Sequence, residues 1–148
     1  MVAMPEAAEV AMRLVVATFI GTGIGLDREL RHKPAGLKTH ALVALGAAVV
    51  TVVTASLTNL MHPDIAALSR AIQGIIAGVG FLGGGAILKS SDEMVVGLTT
   101  AASIWLVASL GIACGAGQWV AALIALAIAL IVLILGNAVE KYILDRRD

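Results

Sequence analysis

The chain has 148 residues, of which 59% are hydrophobic and only 14% are charged. Its formal net charge is zero, so the overall balance gives no sign of nucleic-acid binding. The single cysteine excludes an internal disulfide, and the three histidines lack the spacing of metal ligands, so we expect no cofactor. So apolar a chain of this length is typical of one compact membrane domain.

Long uncharged stretches divide the chain into predicted membrane spans. A hydrocarbon core about 30 Å thick needs roughly 20 helical residues to cross it. Residues 39–63 and 71–88 carry no Asp, Glu, Lys or Arg, and neither do residues 94–139. The last run is long enough for two spans, and the CGAGQW sequence of 114–119 supplies the turn between them. The first span must include Glu9 and Arg13, which can pair at i and i+4.

The predicted fold is all-α, a polytopic membrane bundle of about five helices. Strands are not expected, because the apolar runs lack the alternation of membrane barrels. The predicted helices cover residues 7–27, 40–61, 67–89, 96–114 and 118–137.

The lysines and arginines predict the orientation of this bundle. They cluster in the first loop, beside Lys89 and in the C-terminal tail, and five spans place all three regions on one side. Cytoplasmic loops carry an excess of Lys and Arg. We therefore expect the N-terminus outside and the C-terminus in the cytoplasm.

Glycines are concentrated in the apolar runs. Residues 78–83 read GVGFLG, which matches a dinucleotide fingerprint, but an 18-residue uncharged run leaves no room for the βαβ unit that it requires. Small residues four apart instead allow two helices to pack closely. The three consecutive glycines at 83–85 suggest a local break in the third helix. The predicted packing glycines are Gly21, Gly25, Gly74, Gly78, Gly80, Gly83, Gly84 and Gly85.

Polar residues inside the predicted spans form a candidate intramembrane site, because such residues are costly in lipid. The candidates are Arg13, Arg70, Gln73, Thr99 and Thr100. The alternative for the arginines is snorkelling or a structural pair with Glu9 or Asp64. Thr99, Thr100 and Ser103 could line a water-filled path or form hydrogen bonds between helices. Glu9 is the one carboxylate between the predicted helix ends, so a Mg²⁺ pathway would be short of oxygen ligands.

The first loop carries the second candidate site. Lys and Arg alone would be enough to orient the protein in the membrane, yet Asp27 and Glu29 stand among them. Both acids lie near the C-terminus of the first helix, where a negative charge interacts unfavourably with the helix dipole. Thr39 is a candidate N-cap for the second helix. The segment is either a well-made hairpin that anchors topology or a docking surface for a partner protein or for anionic lipid headgroups, although the two acids weaken simple attraction to lipid. The candidate functional surface consists of Asp27, Arg28, Glu29, Lys38 and Thr39.

Several blocks of sequence occur in a characteristic order: GLDREL, KPAGLKTHALVALGAA, GVGFLGGGAILK, GLTTAASIW and CGAGQW. Their order and spacing, from about Arg13 to Trp119, resemble the MgtC/SapB family of bacterial inner-membrane proteins. The resemblance implies one transmembrane domain over 1–148, multi-pass in the inner membrane. Longer members carry a soluble domain after the last helix, so this chain is expected to be a short form.

The resemblance also implies a function. Family members are linked to growth at low magnesium, to ionic stress and to virulence, which implies a non-enzymatic protein that binds a membrane partner. The alternative is an ion transporter or channel subunit. The expected partners are the lipid bilayer, another membrane protein and a second copy of the chain, as in a dimer. No nucleophile stands near a general base in a suggestive pattern, so catalysis is not expected.

Overall fold

The computed structural model describes residues 7–61, 64–89 and 95–144. Five helices in this part of the chain are long and apolar enough to cross a membrane, which confirms the predicted all-α membrane bundle. The helices are α1 (Ala7–Leu30), α2 (Leu37–Met61), α3 (Ile65–Ala86), α4 (Leu98–Gly115) and α5 (Trp119–Leu144). The inside–outside orientation stays a prediction.

The first loop is shorter than predicted, because α1 continues to Leu30 and α2 already begins at Leu37. The first N–H groups of a helix have no acceptor within the helix. Here the Leu37 N–H donates to Glu29 Oε2 at 3.0 Å, so α1 supplies the acceptor. The predicted N-cap at Thr39 is therefore wrong: Thr39 lies within the first turn and is exposed.

Helix α3 runs without interruption through Gly83, Gly84 and Gly85, so the predicted break in this helix is wrong. The chain leaves the helix only after Ala86. There it forms a two-residue antiparallel ladder, β1 (Leu88–Lys89) with β2 (Val95–Val96), although no strand was expected. Gly97 then turns the chain into α4 with φ of 94°, and a Cβ there would lie 2.0 Å from the Ala86 carbonyl oxygen. Only glycine fits this position.

The core lies where α1, α2 and α4 meet. Glycines bring these backbones close together: a Cβ at Gly21 would lie 2.5 Å from the His40 carbonyl oxygen, and one at Gly111 would lie 2.3 Å from that of Ala44. A Cβ at Gly25 would lie 2.7 Å from the Leu37 Cα. Close approach of this kind requires the absence of a side chain.

Helix α3 packs differently: within this chain, most of its glycines do not make the predicted close contact with another helix. Val79 and Gly83 are its buried residues, and a Cβ added at Gly83 would lie 3.5 Å from the Ala101 Cβ, an ordinary contact. Ile75 and Ala86 pack against the same small cluster as Val79, and much of the remaining helix surface is exposed. A Cβ added at any of five positions would meet no atom within 4 Å: Gly74, Gly78, Gly80, Gly84 and Gly85.

Candidate functional site

Buried polar side chains collect at one end of the bundle, where α1 ends and α2 and α4 begin. We call this the first-loop end. The Arg28 cluster consists of Arg28 on α1, His40 on α2, and Thr100 and Ser103 on α4. The three helices that build the core therefore also share one polar network.

Arg28 is 2% exposed. Its Nη2 donates a hydrogen bond of 2.7 Å to Thr100 Oγ1, which links the end of α1 to the first turn of α4. Its Nε is buried and has no partner among the described residues. The neighbouring Asp27 is turned towards the loop, where its Oδ1 accepts a 2.8 Å hydrogen bond from Arg31 Nε. Arg28 is thus a buried cation with unused hydrogen-bonding capacity.

His40 is completely buried and joins α2 to α4. Its Nδ1 lies 2.9 Å from the Gly36 carbonyl oxygen, which can only accept, so Nδ1 carries a hydrogen. In a neutral ring, Nε2 then accepts from the Ser103 hydroxyl, 2.9 Å away. That hydroxyl also lies 2.8 Å from the Thr100 carbonyl oxygen, so two acceptors compete for one hydrogen.

The outer side of the first loop is a separate, exposed surface. Lys38 and Thr39 point to the exterior, and with Glu29, Gly36 and Leu37 they border an open cavity of about 420 Å³. A Cβ at Gly36 would lie 1.7 Å from Glu29 Oε2, so a side chain there would displace the carboxylate that accepts from the Leu37 N–H. The five residues of the predicted functional surface therefore divide into an inward Arg28, a half-buried Asp27, and an outward group of Glu29, Lys38 and Thr39.

A second cavity of about 200 Å³ opens beside Arg28 at the first-loop end. We call it the Arg28 cavity. Its polar lining consists of Arg28, Lys33, Thr99 and Thr100, and Pro34, Val96 and Gly97 complete the wall. Among the described residues that line it, two side chains are cationic and none is acidic.

The structure does not bring the five residues of the predicted intramembrane site together. Arg13 lies at the opposite end of the bundle, where it pairs with Glu9 and its Nη1 donates 2.8 Å to the Gly115 carbonyl oxygen. Arg70 is exposed, 3.5 Å from Asp64, and Gln73 is exposed further along α3. Thr99 and Thr100 remain together, at the Arg28 cavity.

The network at the first-loop end joins three of the sequence blocks, GLDREL, KPAGLKTHALVALGAA and GLTTAASIW. A family model for the MgtC family matches residues 14–142, which include all three blocks. The chain belongs to the MgtC family. It is a multi-pass membrane protein, since five of its helices can span a bilayer.

Named relatives support this membership. SrpB of Synechococcus elongatus is 44% identical over 74% of this chain and 64% of its own length. SapB of Bacillus subtilis is 41% identical over 74% of this chain and 48% of its own length. YhiD of Escherichia coli strain K12, named as a candidate magnesium transporter, is 39% identical over 76% of this chain and 53% of its own length.

This chain therefore spans about half to two thirds of the length of these MgtC-family relatives. No solved structure matches it.

Sequence reasoning missed His40 as a member of the polar network, because its position relative to the other histidines suggested no metal site. In the residues that the structure describes, no three His, Cys, Asp or Glu side chains could hold a metal ion. The position of His40 along its helix is the signal in the sequence that could have identified it. It stands just inside the start of α2, as Arg28 stands just inside the end of α1, so the two share one level of the bundle.

Proposed function

We propose that this protein is a non-enzymatic component of the bacterial inner membrane that binds a membrane protein partner through the first-loop end. Its role would be adaptation to low magnesium or ionic stress, with a contribution to virulence. The observation that carries the proposal is the rigid presentation of Glu29, Lys38 and Thr39 at the exterior. Glu29 is held by the Leu37 N–H, and the start of α2 is held by His40.

This arrangement suits recognition, because exposed charged groups on a fixed backbone lose little freedom on binding. The loop between α1 and α2 has six residues, 31–36, and two of them, His32 and Ala35, have positive φ values of 53° and 57°. Non-glycine residues in this region are uncommon and persist only where their surroundings hold them. The exposed surface therefore has one preferred shape before any partner arrives.

Transport of a cation is the second candidate, favoured by the name of the relative YhiD. A Mg²⁺ path would need several oxygen ligands, usually carboxylates with retained waters. The buried polar network instead centres on the cation Arg28, and none of its members among the described residues is a carboxylate. These features weigh against a Mg²⁺ pathway through a single chain.

Site-specific photocrosslinking tests the partner proposal. A photoreactive amino acid at Thr39 should give a discrete adduct with a membrane protein in native membranes grown at low magnesium. The control is the same group at Ile65, which is 83% exposed at the start of α3, at the end of the bundle away from the first loop. Lys38→Glu should reduce the yield of the Thr39 adduct and impair growth at low magnesium, while the protein still inserts into the membrane and keeps its melting temperature. Equal adducts from both positions, or none from Thr39, would contradict the proposal.

Ion flux tests the transport alternative independently. Liposomes containing the purified protein should pass Mg²⁺, K⁺, Na⁺ and H⁺ no faster than empty liposomes. A saturable flux of one ion, reduced by Thr100→Val, would instead favour a transporter.

A further inference from the structure

We propose that the Arg28 cavity binds a phosphate group, supplied either by the headgroup of an anionic phospholipid or by free phosphate. The proposed binding of a membrane partner does not require such a site, so either proposal can be disproved while the other stands. The partner surface is the exposed group of Glu29, Lys38 and Thr39, whereas this cavity lies against α4.

The first argument is the state of Arg28. A guanidinium group has five N–H donors in a planar fork that matches the oxygens of a phosphate. Arg28 uses Nη2 for one hydrogen bond to Thr100, while its buried Nε has no partner among the described residues. A buried cation left with unmet donors is costly, and an anion in the cavity that the side chain lines would supply both charge and acceptors.

The nearby acid does not supply this partner. Asp27 precedes Arg28 on α1, and its Oδ1 accepts from Arg31 Nε at 2.8 Å. Its Oδ2 is buried and has no hydrogen-bond partner among the described residues, so neither oxygen is bonded to Arg28. Asp27 is not among the described residues that border the cavity, and the charged side chains among those residues are Arg28 and Lys33. Asp27 attracts Arg28 from outside the cavity, so the lining itself, as far as the structure describes it, is positively charged.

The second argument is the start of α4. Its first N–H groups have no acceptor inside the helix, and its 18 residues give it a positive N-terminal end. Gly97 occupies the N-cap position and supplies no side-chain acceptor. Arg28 is fixed on Thr100 in this first turn, so a cation sits where the helix dipole favours an anion. Each feature alone is common, but their coincidence at one cavity points to an anion.

The third argument is size and composition. The volume of about 200 Å³ is enough for a phosphate group, whereas pockets for drug-sized ligands hold roughly 300–1,000 Å³. Thr99 is exposed on the cavity wall and offers a hydroxyl donor. A single tetrahedral oxyanion could thus meet the guanidinium, a lysine ammonium, a hydroxyl and backbone N–H groups together.

Thermal melting of the full chain tests the proposal. Protein in uncharged detergent and phosphate-free buffer is titrated with inorganic phosphate at low millimolar concentration, against sodium chloride of equal ionic strength. Phosphatidylcholine nanodiscs with and without phosphatidic acid form the lipid arm. A saturable rise of Tm in the first arm assigns the site to free phosphate, and one confined to the second assigns it to a lipid headgroup.

Variants of exposed wall residues place the effect at the cavity. Thr99→Val should weaken the apparent phosphate affinity roughly two- to tenfold, through loss of one hydrogen bond. Lys33→Gln should weaken it by roughly two- to fivefold, as loss of an exposed charge does. Arg28→Lys, which keeps the charge and loses the fork, should reduce binding further if it folds. Arg70→Gln is the matched control, because it removes one positive charge at the opposite end of the bundle.

Two results would overturn the proposal. One is the absence of a saturable Tm rise with both phosphate and phosphatidic acid. The other is a rise that Thr99→Val and Lys33→Gln leave as large as in the unaltered protein, since phosphate salts also stabilise proteins by exclusion from their surfaces.

Discussion

Helices α3 and α4 both carry pairs of glycines four residues apart, yet only α4 uses its glycines to approach a neighbour closely. Half of the α4 span is buried inside the chain, against 6% of the α3 span. Gly111 and Gly115 lie against the α2 backbone, whereas Gly74, Gly78 and Gly80 border no described atom within 4 Å of an added Cβ. The difference teaches that a small-xxx-small pattern marks a helix able to pack, and only the fold decides which helix does so.

The largest expected effect on stability is at the close contact between α4 and α2. Gly111→Leu places a side chain against the Ala44 carbonyl oxygen and should lower the free energy of unfolding by at least about 3 kcal/mol, as severe overpacking does. Thermal melting in detergent measures it, and Gly46→Leu on the open side of α2 is the control, since a Cβ there meets no atom within 4 Å. Equal melting of both variants would show that α2 and α4 do not pack as described.

A smaller effect is expected in the polar network of α4. Thr100→Val removes the acceptor of the Arg28 Nη2 hydrogen bond, and the loss of a hydrogen bond to a charged group should cost about 1.5–3 kcal/mol. Thr99→Val, next to it but exposed, should change the free energy of unfolding by less than about 0.5 kcal/mol. Comparison of the two melting temperatures checks this. If both variants melt alike, Arg28 does not depend on Thr100.

The smallest effect is expected on α3. Gly78→Leu should leave the melting temperature of the monomeric chain nearly unchanged, within about 0.5 kcal/mol of stability. A Cβ there meets no atom within 4 Å, and the open cavity of about 420 Å³ beside it between α2 and α3 has room for the rest of the side chain. Analytical ultracentrifugation in detergent supplies the second measurement. If the variant melts early and also shifts from a larger species to monomer, a second copy of the chain covers this face of α3. The difference in glycine packing between α3 and α4 would then hold only for the isolated monomer.

Much of the fold could be predicted because membrane spans are specified by length and hydropathy. The five helices follow from uncharged runs that must satisfy their own backbone hydrogen bonds in lipid. The turn at 114–119 follows from its glycines. Helix ends were less predictable: α2 begins at Leu37 because a carboxylate from another helix, Glu29, satisfies its N–H. Local sequence around Thr39 could not reveal an acceptor that arrives through tertiary structure.

The candidate site was only partly predictable for the same reason. Sequence singled out Arg28 and Thr100 separately, one as part of a loop surface and the other as an intramembrane residue. Their pairing depends on the antiparallel placement of α1 and α4, which brings residues 72 positions apart to 2.7 Å. Arg13 and Arg70 both stand in the outer halves of apolar helices in the sequence, yet Arg13 is 18% exposed and Arg70 is 67% exposed. Which face of a span turns inward is decided by the other helices.

The hydrogen bond from Leu37 to Glu29 bears on how the chain enters the membrane. The first turn of α2 is completed by a group that belongs to the preceding helix, and the six-residue connection leaves little slack between the two. We therefore expect α1 and α2 to leave the ribosome and partition into lipid as one paired hairpin rather than as two successive helices. Biogenesis would then begin from a preassembled unit, onto which the later spans dock as they are synthesised.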